Sequence, residues 1–135
     1  MSLLDKAEEN LKAATWAESE KMYNVAVSRL YYSMFQRLIH CLNVLEIQYN
    51  ESGKNSHNEA IEALKRHLNL FRRNELTSVQ THFNKLKEKR ILADYKERNV
   101  CFSEKDPNKE NKTYIKIKNS FDFLVERFDN YIEGV

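Results

Sequence analysis

Arg90 occupies a place in its helix where the hydrophobic period asks for an apolar residue. The stripe Val79, Phe83, Leu86, Arg90, Ala93 advances by threes and fours, so the guanidinium is aimed the same way as three core side chains. A guanidinium stays charged and is costly to bury without partners. Two chemistries suit the position. Asp94, one turn further on, can form an intrahelical ion pair, completed by a tyrosine hydroxyl from another helix, that fixes how helices pack. Alternatively, the forked donors stand at the edge of a groove and offer themselves to a phosphate.

The other reactive side chains give weaker signals. His40, His57, His67 and His82 have no second histidine, cysteine or carboxylate at a spacing typical of a metal site, and the expectation is that all four face solvent or cap helices. His40 and Cys41 are neighbours, about 100° apart on a helix, and would not readily chelate one ion together. No glycine-rich phosphate loop and no G-x-S-x-G elbow occurs, so neither metal nor cofactor is expected. Cys41 and Cys101 form no C-x-x-C pair and read as reduced thiols. Lys85, Lys87, Lys89, Arg90, Lys96 and Arg98 outnumber Glu88, Asp94 and Glu97 along one helix. Such a run is the usual look of a solvated face, and it also suits RNA. Tyr31 and Tyr32 point to different faces, so one can fill the core while the other reaches polar surroundings.

These residues need elements to hold them, and the composition favours helices. In 135 residues there are two glycines and one proline, which leaves little material for tight hairpins. The length fits a single domain, residues 1–135, that buries roughly 68% of its unfolded surface without needing a disulfide or metal. A net charge of +2 is too mild to name a nucleic-acid partner by itself. The acidic, amphipathic start MSLLDKAEEN does not read as a signal peptide, and no stretch reaches the roughly 20 apolar residues of a membrane span. The expectation is a soluble, cytoplasmic protein with no membrane partner.

The densest apolar run, Met22 to Ile47, predicts a central helix packed on several faces. A polar seam interrupts it: Arg29, Ser33, Gln36 with Arg37, His40 and Asn43 line up on one side. The seam is expected to face Arg90 and Tyr95, within one subunit or across a dimer. Before it, Leu4, Ala7, Leu11 and Ala14 mark an amphipathic helix with Ser2 as N-cap, and a break near Trp16 to Lys21 offers Ser19 as a second cap. After it, the polar QYNESGKNS, with Gly53, closes the central helix, and Ser56-His57-Asn58-Glu59 matches a capping box. The short helix that follows places Ala60, Leu64, Leu68 and Phe71 inward and ends at Arg72-Arg73-Asn74. Thr77-Ser78-Val79-Gln80 predicts the start of a fourth helix running to about Arg98. A polar connection from Asn99 to Lys105 follows, and Asp106-Pro107 opens a last helix with Tyr114, Ile117, Phe121, Leu124, Phe128 and Tyr131 on one side. The predicted fold is all-α, an up-and-down bundle of about five helices.

In order along the chain, A-V-S-R-L-Y-Y-S-M-F from Ala26 to Phe35, Ser56-His57, R-I-L-A-D-Y from Arg90 to Tyr95 and the aromatic last helix resemble the HEPN (higher eukaryotes and prokaryotes nucleotide-binding) family, in its small stand-alone prokaryotic branch. The resemblance implies a helical bundle that forms a homodimer with its functional groove at the subunit interface. Many relatives are metal-independent endoribonucleases, often toxins, and some are encoded beside a nucleotidyltransferase-like partner protein. Their motif is an arginine followed after four to six residues by a histidine, the histidine moving protons and the arginine stabilising phosphate charge. Here Tyr95, Lys96 and Glu97 stand where the histidine would. A tyrosine hydroxyl, with a pKa near 10, is a poor base at neutral pH but can donate a hydrogen bond.

The resemblance thus matches Arg90 and Tyr95 to the catalytic positions and adds Arg29, Tyr32, His57 and Asp94 as binding residues. Three functions compete. The first is a dimeric module that binds RNA, a nucleotide or a partner protein, in a defence or toxin-antitoxin setting. The second is a metal-independent endoribonuclease with a non-standard Arg90/Tyr95 site. The third is a structural bundle in which Arg90, Asp94 and tyrosines only pack.

Overall fold

A computed structural model describes residues 1–51, 56–95 and 107–134, with side chains omitted for 107–111. Five α-helices account for most of it: α1 (Leu3–Ser19), α2 (Tyr23–Val44), α3 (Ser56–Phe71), α4 (Leu76–Tyr95) and α5 (Pro107–Glu133), with a short 3-10 turn at Arg73–Glu75. The all-α bundle expected from the composition is present, and no strand occurs among the described residues. None of the helices is long and apolar enough, among the described residues, to cross a membrane.

Ser2 starts α1 through a reciprocal box: its hydroxyl accepts from the Asp5 amide, and the Asp5 carboxylate accepts from the Ser2 amide, both at 3.1 Å. Ala7, Ala14 and Ala17 are buried against α2, their small side chains letting the two backbones approach closely, whereas Leu4 is largely exposed, contrary to its place in the predicted stripe. The expected break after α1 is a tight Schellman turn. The Lys21 amide donates to the Glu18 carbonyl and the Met22 amide to that of Ala17, with Lys21 at φ 57°. Ser19 does not cap α2; its hydroxyl donates to the Trp16 carbonyl, and Met22 is the N-cap without a side-chain bond.

α2 is the core of the bundle and packs against α1, α3, α4 and α5. Leu30, Tyr31, Met34, Leu38 and Leu42 are fully buried along it, each removed from water at a gain of about 1.5–3 kcal/mol. It ends earlier than the sequence predicts. A second Schellman turn, with the Ile47 amide on the Leu42 carbonyl and Glu46 at φ 58°, closes it before Gly53, which lies outside the described residues. Cys41 is buried in this core, and the loss of solvent pushes its thiol up to about 12, so it is an inert packing residue. Cys101 lies outside the described residues.

The predicted stripes of α4 and α5 are buried as expected: Val79, Phe83 and Leu86 on one, and Tyr114, Ile117, Phe121, Leu124, Phe128 and Tyr131 on the other. On α3, Ala60, Leu64 and Leu68 face inward, but Phe71 is 72% exposed, because the helix terminates there and its last turn overhangs the core. Thr77 lies inside α4 rather than capping it, since the 3-10 turn leads straight into Leu76 and the Thr81 hydroxyl donates to the Thr77 carbonyl. Glu75 in that turn holds the end of α5: it accepts from the Tyr131 hydroxyl at 2.9 Å and lies 3.6 Å from both Arg72 and Arg127. The predicted extension of α4 to Arg98, the connection to Lys105 and the Asp106 cap lie outside the described residues.

Candidate functional site

Three helices converge on Arg90. α4 carries Arg90, Asp94 and Tyr95; α2 supplies Tyr31, Tyr32 and Phe35; and the first turn of α3 supplies His57. Along α2, Tyr31 and Phe35 are four residues apart and share a face, which is the face turned toward α3 and α4. The Arg90 guanidinium carbon lies 4.6 Å from the Tyr31 ring centroid and 5.7 Å from that of Tyr95, so it makes cation–π contacts with both rings.

The Arg90 side chain is only 13% exposed, and beyond its pull on the Tyr31 hydroxyl its donors are little used among the described residues. Nε is buried without a hydrogen-bond partner among the described residues, and Nη1 lies 3.9 Å from Asp94 Oδ2, well beyond the roughly 2.7–2.9 Å of a charge-assisted hydrogen bond. The predicted intrahelical pair therefore exists but is loose. An unsatisfied buried donor costs about 1–3 kcal/mol, so the fold tolerates a strained arrangement here. Arg37 also has an unpartnered buried Nε, but it stands on the opposite side of α2, with Glu8 at 3.9 Å.

His57 is the residue that sequence reasoning placed least well. Instead of capping or facing solvent, its ring lies against Phe35 at 3.9 Å between centroids, meets Tyr32 nearly edge-on at 6.3 Å, and brings Nδ1 within 3.4 Å of the Tyr31 hydroxyl. Burial and then the Arg90 charge hold its pKa below the usual histidine value, so at neutral pH it is an uncharged imidazole able to accept a proton. Burial pushes the Tyr31 hydroxyl up, against the opposing pull of Arg90, and keeps it protonated as a donor.

The remaining predicted residues divide. Tyr32 is half-buried and packs edge-on to Tyr31 at 5.7 Å, while Tyr95 is 70% exposed at the mouth of the site. Arg29 is not brought to Arg90. It donates to Asn10 Oδ1 at 3.3 Å, on the face of α2 turned away from Tyr31. Ser33, Gln36 and Arg37 of the polar seam take that direction too. Ser33 donates to the Ala7 carbonyl at 2.8 Å and Gln36 accepts from Asn10 at 2.9 Å, so from Arg29 to Arg37 the seam is the polar zipper of the α1–α2 hairpin and not, as expected, a lining for Arg90 and Tyr95. Of the other histidines, His82 bonds the buried Ser120 hydroxyl at 2.9 Å and stacks on Phe123, and His67 lies beside Phe71.

No group of three metal-ligating side chains forms among the described residues. A cavity of about 470 Å³ lies at the end of α2, but its walls include Glu46 and Glu51, which repel anions. The chemistry is gathered at Arg90, where a guanidinium with an unpartnered Nε, a neutral imidazole, a phenol donor and several aromatic faces meet.

An alignment over 104 residues, covering 77% of this chain and 78% of its partner, shows 33% identity to the UPF0332 protein glr0978 of Gloeobacter violaceus. The chain belongs to the UPF0332 family. No family model matches it, and no solved structure gives a significant match. In this UPF0332 chain Phe35 is a site residue that sequence reasoning overlooked, and Tyr31 is the central-helix tyrosine it expected beside Arg90 without naming which of the pair. The signal that could have found them is their i, i+4 spacing inside the Ala26–Phe35 stretch, on the face opposite the polar seam.

Proposed function

We propose that this UPF0332 chain is a HEPN-like helical module that binds RNA or a nucleotide through a phosphate held at Arg90, acts as a homodimer, and serves in a defence or toxin-antitoxin setting. The observation that carries the reading is the buried Arg90 Nε, which has no hydrogen-bond partner among the described residues. A phosphate is the ligand class whose oxygens complete a guanidinium fork, and the site offers aromatic faces on which an attached base stacks. The motif order from Ala26 to Tyr95 supports the HEPN assignment, and the loose Asp94 pair leaves Arg90 available. The test is equilibrium binding of single-stranded RNA to the purified protein across a salt series, with a mass measurement of the free protein. Binding that weakens with salt and a dimeric mass are expected. Absence of RNA and nucleotide binding at low salt overturns the reading.

A second reading has its own observation. His57 comes from α3 to the place beside Arg90 that no histidine of α4 fills, and it is neutral at physiological pH. An endoribonuclease would use it to take the 2′-hydroxyl proton while Arg90 stabilises charge on the phosphate and Tyr95 donates a hydrogen bond. Metal-free RNA cleavage that disappears in His57→Ala selects this reading; intact RNA after prolonged incubation with the wild type rejects it. A nucleotidyltransferase-like protein remains the proposed partner of either form, tested by co-purification from a strain that expresses both.

A further inference from the structure

A groove between α3 and α4 is lined by Asn58 and Lys87, near neighbours in the chain of His57 and Arg90. Asn58 follows His57 directly, and Lys87 precedes Arg90 by three residues, about 4.5 Å along the helix axis. The two helices are joined at this junction by a hydrogen bond of 2.7 Å from Lys87 Nζ to Asn58 Oδ1. Beyond it, Ile61 and Phe83 form an apolar floor, while Glu62, Lys65, Gln80 and Asn84 stand along the rims. Lys65 is already paired with Glu62 at 3.0 Å. Lys87 has no such carboxylate among the described residues, and its ammonium keeps two donors beyond the one given to Asn58.

Resting on the phosphate-binding reading of Arg90, we infer that the ligand is a single nucleic-acid strand longer than one nucleotide. One phosphate sits at Arg90, and the adjoining backbone follows the α3–α4 groove past Lys87. The composition of the groove fits that occupant. Glu62 is offset by its pair with Lys65, so Lys87 leaves the rims one net positive charge beside side-chain amides that meet phosphate and sugar oxygens. The aromatic cluster of Tyr32, Phe35, His57 and Tyr95 lies at one end only, so stacking is confined to the nucleotide next to Arg90 and the rest of the strand is held by its backbone.

The experiment measures the affinity of uridine monophosphate and of a uridine octamer for wild type, Arg90→Ala, Lys87→Ala and Asn84→Glu. Asn84→Glu places a negative charge on the exposed rim. Both groove variants are expected to weaken octamer binding about fivefold, Lys87→Ala to lower the salt slope by about 0.7, and monophosphate binding to stay unchanged. Arg90→Ala weakens both ligands. Octamer affinity and salt slope equal to wild type in both groove variants, with Arg90→Ala still impaired, overturn the strand path and leave the Arg90 reading standing. Wild-type protein that binds neither ligand, or Arg90→Ala that binds both normally, overturns the Arg90 reading and the strand path with it.

Discussion

Nδ1 of His57 lies 3.4 Å from the hydroxyl of Tyr31, whose ring in turn carries the Arg90 guanidinium on its face at 4.6 Å. One tyrosine thus couples an imidazole from α3 to a cation from α4. It does so because Tyr31 is fully buried on α2 and cannot turn away. Asp94 stands at the other side of Arg90, close enough to attract it and too far to bind it tightly.

Asp94 acts as an internal competitor for an incoming anion. Removing its charge frees Arg90 and lifts a local repulsion, so Asp94→Asn should tighten nucleotide binding about threefold, corresponding to the roughly 0.2–1 kcal/mol typical of a partly exposed pair. Calorimetric titration checks this. Weaker binding would mean that Asp94 positions Arg90 instead of competing for it.

His57, His67 and His82 share a pKa depressed below 6.5, first by burial and then by Arg90, Arg72 and Lys85 respectively. In the unfolded chain they titrate near 6.5. As the unfolded form binds more protons in the interval below that value, their stabilisation is complete above it and is lost as pH falls through the folded values. The melting temperature is expected to drop between about pH 7.5 and about pH 5.5, and His57→Gln to flatten part of that drop. An identical slope in the variant would remove His57 from the account.

Lys21 and Glu46 sit at positive φ in the Schellman turns that end α1 and α2. A left-handed L-residue costs about 1–2 kcal/mol, of which glycine's greater unfolded freedom returns about half, so Lys21→Gly should gain about 0.5 kcal/mol. A rise of about 2 °C in melting temperature is the expected readout, against a fall if side-chain contacts of Lys21 matter more than its backbone.

Glu75 ties the 3-10 turn to the end of α5 through Tyr131, Arg72 and Arg127. Glu75→Ala leaves the buried Tyr131 hydroxyl without its acceptor and should destabilise the protein by about 1–2 kcal/mol. Urea unfolding measures this, and amide exchange should rise first near Tyr131. Unchanged exchange there would show that the apolar stripe alone anchors the helix.

The bundle was legible because its stripes are long. Six apolar residues of α5 at helical spacing are enough to define a buried face, and the misfit of Arg90 in the α4 stripe drew attention to the right place. Helix ends were less legible. Both α1 and α2 stop at non-glycine residues in left-handed conformation, so a search for glycine overshot α2 and found Gly53 instead of Glu46. The polar seam was visible, but its direction was not. Periodicity shows which residues share a face and not which neighbour that face meets, and here α1 lies against Arg29, Ser33 and Gln36 while α3 and α4 lie against Tyr31 and Phe35. The resemblance named His57 as a binding residue, but its packing was hidden for a similar reason, since a capping-box position gives no hint that its ring will fold over Phe35.

The central claim is that Arg90 is held for a ligand and not for packing alone. Octamer affinity and melting temperature, measured on the same preparations of wild type and Arg90→Ala, test it most directly. Loss of a charge-assisted contact worth about 1.5–3 kcal/mol predicts affinity at least about tenfold weaker, with a melting temperature within a few degrees of wild type. Equal affinity together with a large fall in melting temperature would contradict the claim and identify Arg90 as a structural residue.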